Sequence, residues 1–153
     1  TITKRFGDEG DIEVGILAWG STFGESLEAM MLARAEGIKC AAMKVVMMSP
    51  LPEKPITEFM DSADQVLIPE LNYEGQFAGI VSGTLGRPVN RLNMVPGAPM
   101  RVDDILAEIR RLAGRTKRDA ACLDLINPAS PLSRESIAKL ACQFLTRRKD
   151  HDR

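Results

Sequence analysis

Short apolar runs of strand length alternate along the chain with stretches of helical period. Residues 12–19, 38–48 and 65–69 are apolar runs closed by glycine, serine or proline, which is typical of buried strands. A fourth run, residues 89–95, mixes polar with apolar positions and is predicted to lie at a sheet edge. Helices are predicted over residues 22–36, 56–62, 75–85 and 101–114.

The first and last of these helices have identifiable ends. Thr22 with Glu25 three residues later predicts a capping box, and Gly37 is predicted to end the first helix. Gly114 is predicted to end the last helix. The buried face of the first helix is predicted to contain Phe23, Leu27, Met30, Met31 and Ala35. That of the last helix is predicted to contain Val102, Ile105, Leu106, Ile109 and Leu112.

This alternation predicts an α/β fold with three layers, α/β/α, in which helices cover both faces of a mostly parallel sheet. Ligands and partners of such sheets meet the carboxyl ends of the strands. Three loops are predicted at that edge, formed by residues 20–22, 48–50 and 70–76. The function is therefore expected in one or more of these loops.

The loop at residues 70–76 is unusually polar for a connection that follows a buried strand. Glu70 and Asn72 either order the loop and cap the following helix, or face a ligand or partner. Tyr73 and Gln76 are candidates for contacts with another molecule. All four residues are candidates for ordering this loop or for forming an interface.

The turn Gly20-Ser21-Thr22 is a second candidate site. Its backbone N–H groups and two hydroxyls stand at a predicted helix start, where an anion can bind. The alternative is that these residues only cap the helix. Both interpretations remain open at this point.

Composition adds a division of the chain into two segments. The 153 residues are 44% hydrophobic and 27% charged with a net charge of -1, which argues against a nucleic-acid or membrane partner. Residues 1–114 contain 11 Lys or Arg and 16 Asp or Glu, whereas residues 115–153 contain nine and five. We expect an α/β domain over residues 1–114 and a basic tail over residues 115–153, with an amphipathic helix at residues 133–148.

No motif for catalysis or metal binding is apparent. The three cysteines, Cys40, Cys122 and Cys142, are far apart and predicted to be free thiols in the cytoplasm. The single histidine, His151, lies in the charged tail. No nucleotide-binding glycine motif is present, and we assign no catalytic residue and no metal ligand. The chain begins without Met, which suggests processing or a piece of a longer protein.

Three stretches together carry a resemblance to a known family: ILAWGSTFGESLEAM, AEGIKCAAMKVVMMSPLP and VLIPELNYEGQFAGIV. They resemble the C-terminal domain of the α subunit of 2-oxoacid:ferredoxin oxidoreductases, in order from about Phe6 to Leu112. That domain is similar in fold to the C-terminal domain of transketolases. The two most specific matches are the turn at residues 18–22 and the block formed by Glu70, Leu71, Asn72, Gly75 and Gln76.

The resemblance implies part of an enzyme that oxidatively decarboxylates a 2-oxo acid with coenzyme A and passes electrons through iron–sulfur clusters to ferredoxin. It implies a non-catalytic assembly domain or small subunit, because the diphosphate-binding motif and cluster ligands are absent from this sequence. Thiamine diphosphate, Mg and iron–sulfur clusters are then expected in partner domains or chains. Ferredoxin and coenzyme A would be met only through the complex, and a homo-oligomer is compatible with this reading.

The resemblance also implies a role for the polar loop. Residues 70–76 would meet a neighbouring domain or subunit, with Glu70 and Asn72 ordering the loop and Tyr73 and Gln76 making the contacts. On this hypothesis Glu70→Ala weakens assembly more than it weakens the fold of the domain. The catalytic domains that normally precede this one are absent, so a separate subunit, a fragment and a stand-alone relative all remain open. The alternative function is a stand-alone module that binds an anion, such as a coenzyme A phosphate, at residues 20–22.

Overall fold

The computed structural model describes residues 2–126, with side chains for residues 2–114. The strands are β1 (Thr3–Gly7), β2 (Ile12–Trp19), β3 (Cys40–Val45), β4 (Ala63–Glu70) and β5 (Asn90–Asn93). The helices are α1 (Thr22–Ala35), α2 (Glu53–Asp61), α3 (Gln76–Leu85) and α4 (Val102–Ile126). The predicted helix at residues 133–148 and the residues Cys142 and His151 lie outside the described part.

The chain divides into two compact units, Thr1–Thr116 and Lys117–Arg153, and the fold described below is that of the first. None of the helices in the described residues is both long and apolar enough to cross a membrane.

The five strands form one sheet in the order β1-β3-β2-β4-β5. Strand β2 is central, and Ile16 lies opposite Ala42 of β3 on one side and Leu67 of β4 on the other, both in parallel. Strand β5 adds to β4 in parallel, and β1 pairs antiparallel with β3. The predicted mostly parallel α/β fold and the edge position of β5 are confirmed.

Each face of the sheet carries its own hydrophobic core. Alternate residues of β2 divide between them, with Ile16 in one core and Leu17 in the other. The first core packs α1 and α4 against the sheet, and the second packs α2 and α3 against the opposite face. The predicted helices on both faces are therefore confirmed, including the buried face of α4, in which Ile105, Leu106, Ile109 and Leu112 are buried.

Helix α1 buries only part of the predicted face: Met30 is buried, and Phe23 and Leu27 are half-buried against the first core. Its buried residues are Thr22, Ser26, Ala29, Met30 and Ala33. Met31, predicted to be buried, is 60% exposed, and Ala35 is exposed as well. Apolar residues lie all round this helix, so their spacing does not single out one face. Small side chains face the sheet, and the hydroxyl of the fully buried Ser26 donates to Thr22 O at 2.7 Å, which satisfies it.

The predicted helix ends are right at one position and wrong at two. Gly37, with φ +85°, follows the end of α1 as predicted. The predicted capping box is wrong, because Ser21 is the N-cap residue and the Thr22 hydroxyl donates to Trp19 O at 3.1 Å. Helix α4 continues past Gly114 to Ile126. A single glycine inside a helix costs only about 1 kcal/mol relative to alanine, and good helix formers flank this one.

Strand β1 was not predicted from the sequence. Its residues, TKRFG, are mostly polar and only half-buried, because an edge strand has a neighbour on one side alone. Arg5 of this strand donates to Asp8 O at 2.7 Å and to Ser62 Oγ at 3.1 Å, and its guanidinium lies over the Phe59 ring. Polar contacts therefore fix this strand, and hydrophobic periodicity does not detect them.

Gly15 in the central strand is a position where the packing forbids a side chain. A Cβ atom there would lie 2.9 Å from Cε1 of Phe59, a fully buried ring, and 3.1 Å from the Cβ of Ala63. We expect Gly15→Ala to lower the free energy of unfolding by about 1–3 kcal/mol through overpacking, measured by chemical denaturation. Gly83→Ala is the control, because no atom lies within 4 Å of a Cβ at this helical position. It should stabilise the chain by about 0.5–1 kcal/mol, and equal effects of the two substitutions would contradict this packing.

Candidate functional site at the carboxyl edge of the sheet

Glu70, the last residue of β4, is a carboxylate buried to 1% exposure. Its Oε1 accepts hydrogen bonds from the backbone N–H of Phe77 at 2.8 Å and from Asn72 Nδ2 at 2.9 Å. Its Oε2 accepts from the N–H of Ala78 at 2.9 Å. These backbone donors belong to the first turn of α3, which the helix itself leaves without partners. Glu70 thus caps α3 from the preceding strand, where charge and helix dipole are complementary.

Asn72 closes the loop between β4 and α3. Its Oδ1 accepts hydrogen bonds from the N–H of Gly75 at 2.5 Å and of Gln76 at 3.3 Å, while its amide donates to Glu70. The N-cap residue of α3 is Gly75, which has no side chain to cap the helix. Asn72 and Glu70 together therefore supply the acceptors that an N-cap side chain provides in other helices.

Two residues of β5 hold the same loop from the side. Arg91 Nη1 donates to Glu74 O at 3.4 Å, and Asn93 Nδ2 donates to Tyr73 O at 3.2 Å. Neither Arg91 nor Asn93 was a candidate from the sequence. Arg91 and Asn93 are two residues apart in a predicted edge strand, so their side chains lie on the same face of the sheet, the one that carries α3. This spacing was the signal available in the sequence.

Gly75 is required by both its conformation and its surroundings. Its φ of +67° is left-handed, and a Cβ atom would lie 2.8 Å from both the Nδ2 and the Oδ1 of Asn93. The loop therefore packs directly against β5, and its course is determined by close contact as well as by hydrogen bonds.

The other two candidate residues of this loop lie on the surface. The Tyr73 side chain is 87% exposed, although its backbone carbonyl is bonded to Asn93. Gln76 is exposed at the first position of α3. The loop thus holds a large aromatic side chain in solvent on a backbone that hydrogen bonds fix.

The turn at residues 20–22 lies beside this loop. A cleft of ≈ 260 Å³ is lined by Trp19, Gly20, Ser21, Thr22, Glu70, Leu71 and Asn72, so two of the three loops expected at the carboxyl edge meet here. The third, at residues 48–50, does not contribute to this cleft. A larger groove of ≈ 510 Å³ adjoins Ser21 and Leu71 and continues along residues 94–99, which follow β5.

The electrostatics of the turn do not favour an anion strongly. The Thr22 hydroxyl donates its hydrogen to Trp19 O, and Ser21 makes no side-chain capping bond. Glu25 adds a carboxylate in the first turn of the same helix. Backbone N–H groups therefore remain as the attraction for an anion, and a nearby negative charge opposes them.

The opposite edge of the sheet offers no reactive group. Hydrogen bonding to Arg34 lowers the pKa of Asp8, which also accepts from the N–H of Cys40 at 3.0 Å. Burial raises the pKa of Cys40 to about 12, so its thiol stays protonated and unreactive. No cluster of three or more His, Cys, Asp or Glu that could hold a metal exists among the residues whose side chains are described.

The fold recurs in solved structures of transketolase. A split-gene transketolase matches with a TM-score of 0.60 at 18% identity, over 72% of this chain and 41% of that one. At this identity the match shows the fold alone. The protein is thus an α/β domain of the transketolase-like class.

Sequence comparison gives the family. The family described as pyruvate:ferredoxin oxidoreductase core domain II matches residues 12–105. The chain belongs to this family, and the matched segment includes the loops at residues 20–22 and 70–76.

The relatives are α subunits of 2-oxoacid:ferredoxin oxidoreductases. 2-Oxoacid:ferredoxin oxidoreductase 1 subunit alpha of Aeropyrum pernix is 39% identical over 85 residues, 54% of this chain and 13% of that protein. 2-Oxoglutarate oxidoreductase subunit KorA of Mycobacterium tuberculosis is 35% identical over 107 residues, 69% of this chain and 16% of that protein. The chain thus spans about a sixth or less of the length of these relatives.

A solved structure of the same kind agrees. It is 2-oxoglutarate:ferredoxin oxidoreductase from Magnetococcus marinus, determined with 2-oxoglutarate, coenzyme A and succinyl-CoA bound. The match has a TM-score of 0.70 and 29% identity, and covers 72% of this chain and 19% of that one. The resemblance inferred from the sequence is confirmed.

Glu70→Gln tests the carboxylate cap. In either orientation of the amide, its NH₂ group faces a donor, which is the N–H of Ala78 or that of Phe77. We expect a loss of about 1–3 kcal/mol in the free energy of unfolding, measured by denaturant titration, because a buried donor is left without an acceptor. The same substitution at Glu74, an exposed residue of this loop, should change it by less than about 0.5 kcal/mol. Similar losses for both variants would contradict the capping role.

Proposed function

We propose that this chain is a non-catalytic assembly domain, or small subunit, of a thiamine-diphosphate-dependent 2-oxoacid:ferredoxin oxidoreductase. The observation that carries the proposal is that the polar groups of the candidate site form hydrogen bonds within the chain. Both oxygens of Glu70 accept hydrogen bonds from the chain's own groups, and Asn72 is used in the same way. Family membership supports placing the domain in such an enzyme.

The contacts with the rest of the enzyme would be made by the loop at residues 71–75 and by the start of α3. Tyr73 is the principal contact, because an exposed aromatic side chain on a hydrogen-bonded loop can bury a large area against a partner. Gln76 adds a polar contact beside it. Glu70 and Asn72 act indirectly by ordering this surface.

The chemistry would then be carried by other parts of the enzyme. We propose that thiamine diphosphate, Mg and the iron–sulfur clusters belong to other domains or chains, and that ferredoxin and coenzyme A are met only through the complex. The described side chains, which include a single free cysteine, Cys40, support this division. A cytoplasmic location is part of the proposal, and a buried, protonated thiol is compatible with it.

Tyr73→Ala is the test of the assembly function. The chain is tagged and co-expressed with the other chains of its enzyme, and recovery of the chain that binds thiamine diphosphate is quantified at several protein concentrations. We expect association to weaken by about tenfold or more, because an aromatic anchor typically contributes over 1 kcal/mol. The melting temperature of the isolated chain should not change, since this side chain makes little contact within it.

Tyr73→Phe is the matched control and should retain most of the association, because it keeps the ring. Glu70→Ala is a poorer probe than the sequence suggests, because its hydrogen bonds to Phe77 and Ala78 make it part of the domain's own fold. Unchanged association of Tyr73→Ala would contradict the proposed contact.

The second candidate function is a module that binds an anion at residues 20–22. The cleft between this turn and residues 70–72 is the observation that favours it. The carboxylate of Glu25 and the occupied hydroxyl of Thr22 oppose it. A coenzyme A phosphate would have to bind through backbone N–H groups and the Ser21 hydroxyl, because the Thr22 hydroxyl already donates to Trp19 O.

Thermal unfolding of the isolated full chain with and without coenzyme A separates the two functions. Binding at a concentration of 100 Kd would stabilise the native state by about 2.7 kcal/mol. For an assembly domain we expect no increase in melting temperature. An increase that is lost on Ser21→Asp, which adds negative charge at the turn, would establish the anion site instead.

A further inference from the structure

The groove of ≈ 510 Å³ beside the cleft has mostly apolar walls. It is lined by Leu71, Ser21, Glu25 and the segment of residues 94–99, in which methionine, valine, alanine and two prolines occur together. Of the nine lining residues, Glu25 is the only charged one. The loops that follow β2, β4 and β5 all contribute, so the groove lies at the carboxyl edge of the sheet.

The carboxylate of Glu25 is incompletely bonded within the domain. Its Oε2 is shielded from solvent and accepts no hydrogen bond from the residues whose side chains are described. A shielded carboxylate oxygen without a donor is energetically unfavourable, and a donor from another chain would relieve that cost. The dipole of α1 explains an acidic residue in its first turn, but a fully exposed carboxylate would serve that purpose as well.

A chain of apolar atoms that ends in a cation matches both properties of the groove. The methylene stem of a lysine or arginine packs against apolar walls, and its charged group donates hydrogen bonds to a carboxylate. A free inorganic cation would use the carboxylate and leave the apolar walls unused.

The surroundings favour a protein as the source of this side chain. Val95, which lines the groove, is 70% exposed, and Tyr73 projects from the adjacent loop. Exposed apolar side chains beside a groove are typical of a surface that another chain covers. Leu71 belongs to the loop at residues 71–75 and also lines the groove, so one partner surface can cover both.

We propose that the groove receives a lysine or arginine side chain from a neighbouring chain of the enzyme, and that Glu25 is its counter-ion. The inference rests on the proposed assembly function and extends it by naming the chemistry of the partner. Tyr73 supplies the apolar contact, and Glu25 supplies a charge-selective contact that determines which partner surface fits.

Glu25→Gln tests this pairing in the full chain co-expressed with the other chains of its enzyme. We expect association to weaken by about tenfold or more, because removing one partner of a shielded charge pair leaves the other uncompensated. Association of the variant should also depend less on ionic strength than that of the unmodified chain. Glu28→Gln is the matched control, since Glu28 is exposed on the same helix and does not line the groove; it should leave both properties unchanged.

The outcomes separate this inference from the proposed function. If Tyr73→Ala weakens association and Glu25→Gln does not, the basic partner residue is disproved and the assembly function stands. If neither substitution weakens association, both are disproved. Loss of association in Glu28→Gln as well would show a non-specific charge effect and would also overturn the pairing.

A second measurement identifies the partner residue first, in a step that uses no Glu25 variant. A photo-reactive amino acid in place of Ala98, which lines the groove, is cross-linked in the assembled enzyme, and the attached partner peptide is identified by mass spectrometry. We expect that peptide to contain a lysine or arginine whose exchange for glutamate weakens association, and Glu25→Lys in the same complex to restore it. A peptide without a basic residue would overturn the inference.

Discussion

The carboxylate of Glu70 joins three parts of this domain through hydrogen bonds, in addition to the packing of α3 on the sheet. Glu70 is the last residue of β4. Its carboxylate accepts hydrogen bonds from two backbone N–H groups of α3 and from the side-chain amide of Asn72, which closes the intervening loop. The N–H of Met94 donates to the carbonyl of the same residue at 3.0 Å, which fixes the exit of β5. A buried carboxylate is tolerated here because each oxygen has a donor and the helix dipole favours negative charge.

The surface at the carboxyl edge depends on this arrangement. Once the loop is closed, Arg91 and Asn93 of β5 bond its carbonyls from the side, and Gly75 lies against the Asn93 amide without room for a Cβ atom. Tyr73 is then held in solvent on a backbone with little freedom to move. Glu70 and Asn72, which from the sequence either order the loop or face a ligand or partner, form hydrogen bonds within the domain and order the loop.

The layers of the fold were predictable because the strong signals in this sequence are hydrophobic periodicity and glycine. The central strand β2 and residues 66–69 of β4 are apolar runs, and Gly37 and Gly86 mark helix ends with left-handed φ. The features that were missed depend on contacts that are distant in sequence. Hydrogen bonds of Arg5 to residues as far away as Ser62 help to fix strand β1, and hydrophobic periodicity carries no information about such bonds.

The candidate site was predictable in part for the same reason. Glu70 and Asn72 stand out because polar residues crowd the end of a buried strand, but their partners Phe77 and Ala78 are identified only through their backbone N–H groups. Asn93 contacts a loop twenty residues earlier, and no local pattern indicates that. The prediction that Met31 and Ala35 of α1 are buried was wrong because the helix is apolar all round and small residues such as Ala29 and Ala33 pack against the sheet.

The most direct test of a prebuilt interface at the carboxyl edge is amide hydrogen exchange on the full chain, alone and assembled with the other chains of its enzyme. We expect the N–H groups of Phe77 and Ala78 to be protected already in the isolated chain, because Glu70 holds them there. Assembly should add protection in residues 71–75 and 94–99. An isolated chain in which these two amides exchange as fast as an unfolded segment, or an assembly that protects another face and leaves this edge unchanged, would contradict this view of the domain.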